Sequence, residues 1–321
     1  MKTFIFIPDT NKKAGLGHLY RCFKYSNFVS KKHKILFLIN KNFNKKYLIK
    51  KNFNNQKIEY FFFSDLQITF NILQPKYNNI ITFLDTYNPK IRNIDFKKFS
   101  QKHINVLDFR AKCKSDYIID HTFKRNTNFH KNIHKTNMDV GLQNFPILNK
   151  LRLSNRKLIL INFGSIKNKA LIKKSLLFIK KLQLNKSYKI IIIDKFFLKK
   201  DISNIKLTNK IFHYKFLRNI HNVYKKTFFT IGGCGISLYE KCFSNIPSIS
   251  KCVAKNQSYN FKNFYSKKCI LDFEKIIKLS LQKSFNKNVF FKEINKVENN
   301  TKKYFNHKKN RTHLYKLFSK F

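Results

Sequence analysis

Residues 4–22 read Phe4-Ile5-Phe6-Ile7-Pro8-Asp9-Thr10-Asn11-Lys12-Lys13-Ala14-Gly15-Leu16-Gly17-His18-Leu19-Tyr20-Arg21-Cys22. The run from Phe4 to Ile7 is apolar on every residue, which marks a strand buried on both faces. Glycines follow at Gly15 and Gly17, and an amphipathic stretch, His18 to Ser30, opens directly after them. Other apolar runs of the same kind are Ile35–Ile39, Ile80–Leu84, Leu158–Asn162, Ile190–Ile193 and Phe228–Ile231. Between them lie further amphipathic stretches, Ala170 to Leu184 and Ser237 to Ser244. Alternation of this type predicts an α/β chain of doubly wound, Rossmann-like parallel sheets, with ligands at the carboxyl ends of the strands. The pattern pauses in the polar segment Phe123 to Asn149, so the expected domains are 1–148 and 149–321. No sequence repeat is present, and the tail from Asn295 to Phe321 reads as a basic helix.

The length of 321 residues suits two domains, and 43% hydrophobic with 16% aromatic residues excludes a disordered chain. Sixty-seven basic against 16 acidic residues give a formal charge of +51. Lysine is spread along the whole chain rather than gathered in one stripe, which favours compositional drift over a dedicated nucleic-acid surface. Such a charge still speeds the arrival of an anionic substrate. The six cysteines form no CxxC pair, so a reducing compartment is expected. The first apolar run is too short for a signal peptide, and none approaches the ~20 residues of a membrane span. These features read as a soluble, cytoplasmic monomer with no membrane partner.

Glycine makes up about 7% of an average protein, yet this chain has only 7. All but Gly141 fall in three segments that each follow a strand-like run: Gly15 and Gly17, Gly164, and Gly232, Gly233 and Gly235. Retention of glycine there points to backbone that must take positive φ or approach a ligand closely. In the first segment, free N–H groups at the helix start favour an anion. His18 is placed there to take a proton from water, the task of a general base; a plain helix cap is the alternative. In the segment Gly232-Gly233-Cys234-Gly235-Ile236, backbone amides can cradle a diphosphate. Glu240, one turn inside the following helix, can accept hydrogen bonds from ribose hydroxyls or be a solvated charge. The spacing is not GxGxxG, which disfavours NAD. Asn256 and Gln257 carry donors and acceptors suited to sugar hydroxyls, and Tyr87 in Asp85-Thr86-Tyr87 follows a strand at the same carboxyl edge. No metal or cofactor motif is present, and the remaining histidines read as surface positions.

Taken in order, these segments resemble the UDP-sugar hydrolases of pseudaminic acid biosynthesis over almost the whole chain. Those enzymes act on UDP-2,4-diacetamido-2,4,6-trideoxy-β-L-altropyranose and have the GT-B fold of MurG, two Rossmann-like domains with a substrate cleft between them. The likeness rests on Asp9 with Gly15 to Cys22, Asp85-Thr86-Tyr87, Val106-Leu107-Asp108 with Cys113-Lys114-Ser115-Asp116, Gly141 with Pro146-Ile147-Leu148, and Gly232 to Pro247 with Asn256-Gln257. The resemblance implies His18 as general base, with Tyr87 and Asn256 beside the sugar. It further implies that Asp9, Gly15, Gly17 and Gln257 shape the substrate site, and that Gly232, Gly233, Cys234, Gly235, Ile236 and Glu240 bind UDP. The implied reaction is metal-independent attack of water at the anomeric carbon with inversion. The chain departs from the family at Ile7, usually arginine, at Asn149 after Leu148, and at Ile166 in Phe163-Gly164-Ser165-Ile166. Two other readings stay open: a GT-B glycosyltransferase with a UDP-sugar donor, and a UDP-sugar-binding protein without turnover.

Overall fold

The computed structural model describes residues 1–11, 16–48, 52–53, 56–131, 134–147, 151–164, 168–198, 205–217 and 219–321, with backbone only at 52, 53 and 56. Gly15, Asn149 and Ile166 lie outside the described residues. The chain divides into two compact units: Met1–Leu148 with Lys308–Phe321, and Asn149–His307.

The first unit holds β1 (Thr3–Pro8), β2 (Lys34–Asn40), β3 (Asn52–Phe53), β4 (Gln56–Phe63), β5 (Ile80–Asp85), β6 (Lys102–Val106), β7 (Tyr117–Asp120) and β8 (Asn137–Val140). Its helices are α1 (Gly17–Ser26), α2 (Leu66–Leu73), α3 (Pro89–Arg92) and α4 (Asn128–Lys131). The sheet order is β3-β4-β2-β1-β5-β6-β7-β8, parallel except for β3. β1 and β5 are buried at every residue, as continuous apolar runs between two helical layers require. One core packs on each face: Phe4, Phe6, Phe37 and Phe83 on one side, Ile5, Ile7, Leu36 and Leu84 on the other. The segment expected to be a polar pause instead carries α4 and β8, which pairs with β7. β8, Asn-Met-Asp-Val, is an edge strand, so it does not need the apolar run that marks a central one.

The second unit holds β9 (Leu158–Asn162), α5 (Lys169–Leu182), β10 (Lys189–Ile193), β11 (Ile211–Tyr214), α6 (Ile220–Lys225), β12 (Thr227–Gly233), α7 (Ile236–Phe243), β13 (Ser248–Lys251), α8 (Ser258–Ser266), β14 (Leu271–Asp272), α9 (Phe273–Ser280) and α10 (Lys287–Tyr304). Its sheet runs β11-β10-β9-β12-β13-β14, all parallel. Among the described residues no helix is long and apolar enough to cross a membrane.

The expected second domain reaches Phe321, but the structure assigns Lys308–Phe321 to the first unit. The reason lies in the apolar face of α11 (His307–Ser319). Leu314, Leu317 and Phe318, with Phe321 beyond the helix, complete the core around Phe4 and Phe83. The Phe318 ring lies 5.8 Å from Phe83 and 6.0 Å from Tyr25. Phe318→Ala is therefore expected to destabilise the first unit by about 3–5 kcal/mol. Denaturant unfolding followed by circular dichroism checks this; a loss below about 1 kcal/mol would mean the tail does not support that core.

Candidate functional site

In each unit the candidate residues collect at the carboxyl ends of parallel strands. In the first, β1 and β5 pair with Pro8 opposite Asp85, so the residues just after both strands, Asp9 and Thr86-Tyr87, emerge side by side. The buried Asp9 carboxylate accepts from Thr86 Oγ1 at 2.9 Å and from the backbone amides of Tyr87 and Asn11 at 3.2 Å each. It pins the two loops together.

His18 sits in the first turn of α1, and Gly17 begins that helix. The imidazole is buried, with Nδ1 2.6 Å from Asp85 Oδ1. Arg21, one turn on and also buried, donates through Nε to Asp85 Oδ2 at 2.6 Å and through Nη2 to Oδ1 at 2.5 Å. Its Nη1 donates to Asp108 Oδ2 at 2.8 Å and lies 3.3 Å from His121 Nε2. Arg21 Nη2 also lies 3.2 Å from His18 Nδ1. The shorter contact, to a carboxylate, decides the tautomer: Nδ1 carries the proton and donates it to Asp85. Nε2 then holds the lone pair, and it has no partner among the described residues. Tyr87 packs edge-on against His18, ring centres 4.4 Å apart at 90°, and donates its hydroxyl to Asp108 at 3.1 Å.

Charge in this cluster is tightly balanced. Burial alone would push the Asp85 carboxyl up; Arg21, then His18, outweigh it and hold it well below the usual carboxylate range. Burial would likewise lower Arg21, but Asp85 and Asp108 hold its guanidinium firmly charged. Asp108 is kept low by Arg21 against its own burial. His121 is pressed down to about 4 by burial, then by Arg21, against Asp108 and Asp120. It is neutral at pH 7 and accepts from Arg21.

The histidines expected at the surface are otherwise placed. His103, His121, His130 and His134 are all buried. His103 lies 2.6 Å from Thr82 Oγ1 and 3.0 Å from Asn105 Nδ2, stacked on Phe96, and burial pushes it down to about 3. His130 Nε2 and Arg125 meet the buried Asp120 at 2.8 and 2.9 Å.

In the second unit Gly232 and Gly233 end β12, and Cys234 and Gly235 lead into α7 at Ile236. Gly232 has no positive φ. Its need for glycine is crowding: a Cβ would lie 2.0 Å from the carbonyl oxygen of Asn162 on β9. Gln257 holds the turn shut, its side-chain oxygen accepting from Cys234 N at 3.1 Å and Val253 N at 3.2 Å. That oxygen and the Cys234 amide are thus engaged with each other, which leaves the Gln257 amide nitrogen for any ligand. Asn256 is exposed in the turn Lys255–Gln257. Glu240 is partly buried, 3.5 Å from the Tyr224 hydroxyl.

Asp85, Arg21, Asp108 and His121 are the members the sequence reading did not assign. Three of them were quoted within motifs without a role. The signal that could have found two of them is the scarcity of acidic residues, 16 against 67 basic, which singles out Asp85 and Asp108 beside strand ends.

With this geometry the chain can be set against known proteins. Solved structures of MurG and of UDP-sugar glycosyltransferases match it end to end. The chain has the GT-B fold. MurG of Acinetobacter baumannii superposes with a TM-score of 0.66 at 12% identity, covering 100% of both chains. UGT2 of Phytolacca americana, complexed with UDP-2fluoro-glucose and pterostilbene, gives 0.66 at 9% identity over 100% of this chain and 99% of that one. UGT71G1 of Medicago truncatula, complexed with UDP-glucose, gives 0.61 at 11% identity over 99% and 98%. No family model and no curated protein matches the sequence, so the GT-B likeness is one of shape.

Proposed function

We propose that this chain binds a UDP-sugar and hydrolyses the bond between the anomeric carbon and the diphosphate. The observation that carries the reading is the Asp85–His18 pair, which fixes the proton on Nδ1 and leaves Nε2 as the acceptor. Water attacks the anomeric carbon and passes its proton to Nε2. The carbon–oxygen bond to the diphosphate breaks, UDP departs with the electron pair, and the configuration inverts. Tyr87, held by Asp108, and Asn256 contact the sugar; Asp9, Gly17 and Gln257 shape the loops around it, with Gly15 in the first. Gly232 to Ile236 and Glu240 hold UDP, with α7 directing its N-terminus at the diphosphate. The substrate class is a UDP-diacetamido-trideoxyhexose, supported by the ordered motifs from Asp9 to Gln257 and by GT-B neighbours whose ligands are UDP-sugars.

A GT-B glycosyltransferase reading is favoured by those same neighbours. The two separate in one experiment: purified chain, a panel of UDP-diacetamidohexoses, ¹⁸O-labelled water, and mass spectrometry. Hydrolysis yields UDP and free sugar carrying ¹⁸O at the anomeric carbon without any acceptor. Release of UDP only after an acceptor is added would replace the hydrolase with a transferase, and binding without release would leave a binding protein.

A further inference from the structure

One basic side chain breaks the pattern of solvated lysines. Lys241, on α7, is only 1% exposed. A helical side chain leans back toward the N-terminus of its helix, and here the long stem runs beneath α7 to the carboxyl edge of the sheet. Its Nζ lies 3.4 Å from where a Cβ on Gly232 would stand. Gly232 pairs with Asn162 on β9 and with Ser250 on β13, so the ammonium reaches the ends of the three central strands. Among the described residues it makes no hydrogen bond and no ion pair.

An ammonium withdrawn from water without a partner is expensive to keep, and such groups mark places where an anion arrives. Two independent features meet here: the N-terminus of α7, whose free amides and dipole attract negative charge, and this lysine, whose ammonium has no hydrogen-bond or ion-pair partner among the described residues. We infer that Lys241 is the cation of an anion-binding site at the start of α7, and that the anion it receives is a diphosphate. On the hydrolase reading, on which the identity of the ligand rests, it neutralises the charge that develops on UDP as the bond to the sugar breaks.

The groups facing the ammonium are Cys234 from the glycine turn and Cys242 and Glu240 from α7. Burial pushes Lys241 down to about 8, against these three. Burial also raises both thiols, Cys234 to about 12, so neither ionises near neutrality. The sign follows: Lys241 is charged below about 8 and loses its charge above, so affinity for a diphosphate falls between pH 7 and pH 9.

Calorimetric titration of the full chain with UDP, uridine and inorganic pyrophosphate tests this. Lys241→Met is expected to weaken UDP and pyrophosphate roughly 10- to 100-fold while leaving uridine unchanged, and to flatten the pH dependence. Equal affinity of variant and wild type for pyrophosphate overturns the inference. If the variant does not fold, wild-type chain is titrated with UDP and with uridine at pH 7 and pH 8.5. UDP binding that weakens several-fold relative to uridine supports the site, and a constant ratio overturns it. Failure of the hydrolase reading is seen separately: wild type that binds pyrophosphate but releases nothing from any UDP-sugar keeps the anion site and loses the reaction.

Discussion

Asp85→Asn is expected to slow UDP release by about 10³- to 10⁴-fold while leaving UDP affinity unchanged. The carboxylate now offers two acceptor oxygens, one shared by His18 and Arg21 Nη2 and the other taken by Arg21 Nε. An asparagine has one oxygen and one NH₂. If the oxygen faces Arg21 Nε, the NH₂ faces His18 Nδ1, which must become an acceptor. The imidazole proton then moves to Nε2 and blocks the lone pair that takes the proton from water. If the amide turns the other way, its NH₂ meets Arg21 Nε donor against donor, while its oxygen keeps the His18 Nδ1 proton but no longer carries the negative charge that stabilises the imidazolium formed in the reaction. Either outcome lowers kcat far more than KM. His18→Ala should fall to a similar floor, and the double variant should be scarcely worse than either single one, because the two residues act as a unit. Activity of the asparagine variant within tenfold of wild type would remove Asp85 from the mechanism.

The second large effect is on stability. Arg21→Met leaves Asp85 and Asp108 facing each other's charge with no cation, Asp85 in full burial. Breaking a buried pair by deleting one partner costs about 3–5 kcal/mol, a large part of a stability of about 5–15. The pH dependence identifies the cause. In the wild type the Asp85 carboxyl is held below its ordinary range, so its contribution is complete above the ordinary carboxylate pKa and is lost as pH falls below it. In the variant burial dominates and the carboxyl rises, so protonation relieves the folded state. Denaturant titrations at pH 7 and pH 5 should show the gap between wild type and variant narrowing toward the acid side. A gap that stays constant would mean the loss comes from packing rather than charge.

How far the sequence led depends on which residues could announce themselves locally. Phe4–Ile7, Ile80–Leu84 and Phe228–Ile231 are apolar throughout because their strands are covered on both faces, and each lies in an observed strand. Tyr117–Asp120 and Asn137–Val140 were not separable from loop, since the first carries only two aliphatic residues, Ile118 and Ile119, and the second is an edge strand of mixed residues. The tail showed a helical face to bury, but periodicity names a face and not the surface that receives it, so the return of α11 to the first unit was not legible. In the candidate site, the rarity of glycine picked out His18 and the Gly232 turn. Arg21 could not be assigned in this way: its partners lie 64 and 87 residues along the chain. His103 misled for the same reason, because its partners Thr82 and Asn105 come from a neighbouring strand and its own. At Gly232 the requirement for glycine comes from the adjacent backbone of β9 rather than a left-handed turn.

The path of the chain into α11 has a consequence for biogenesis. Domains fold as units during translation, amino-terminal parts first, but here the amino-terminal core lacks Leu314, Leu317, Phe318 and Phe321 until residues 308–321 have left the ribosome. A nascent first unit therefore waits with an apolar seam open along Phe4, Tyr25 and Phe83 while the entire second unit is made. In the cell that interval is a natural point for a chaperone to hold the chain. A truncation that removes residues 308–321 would harm the half of the molecule that was synthesised first.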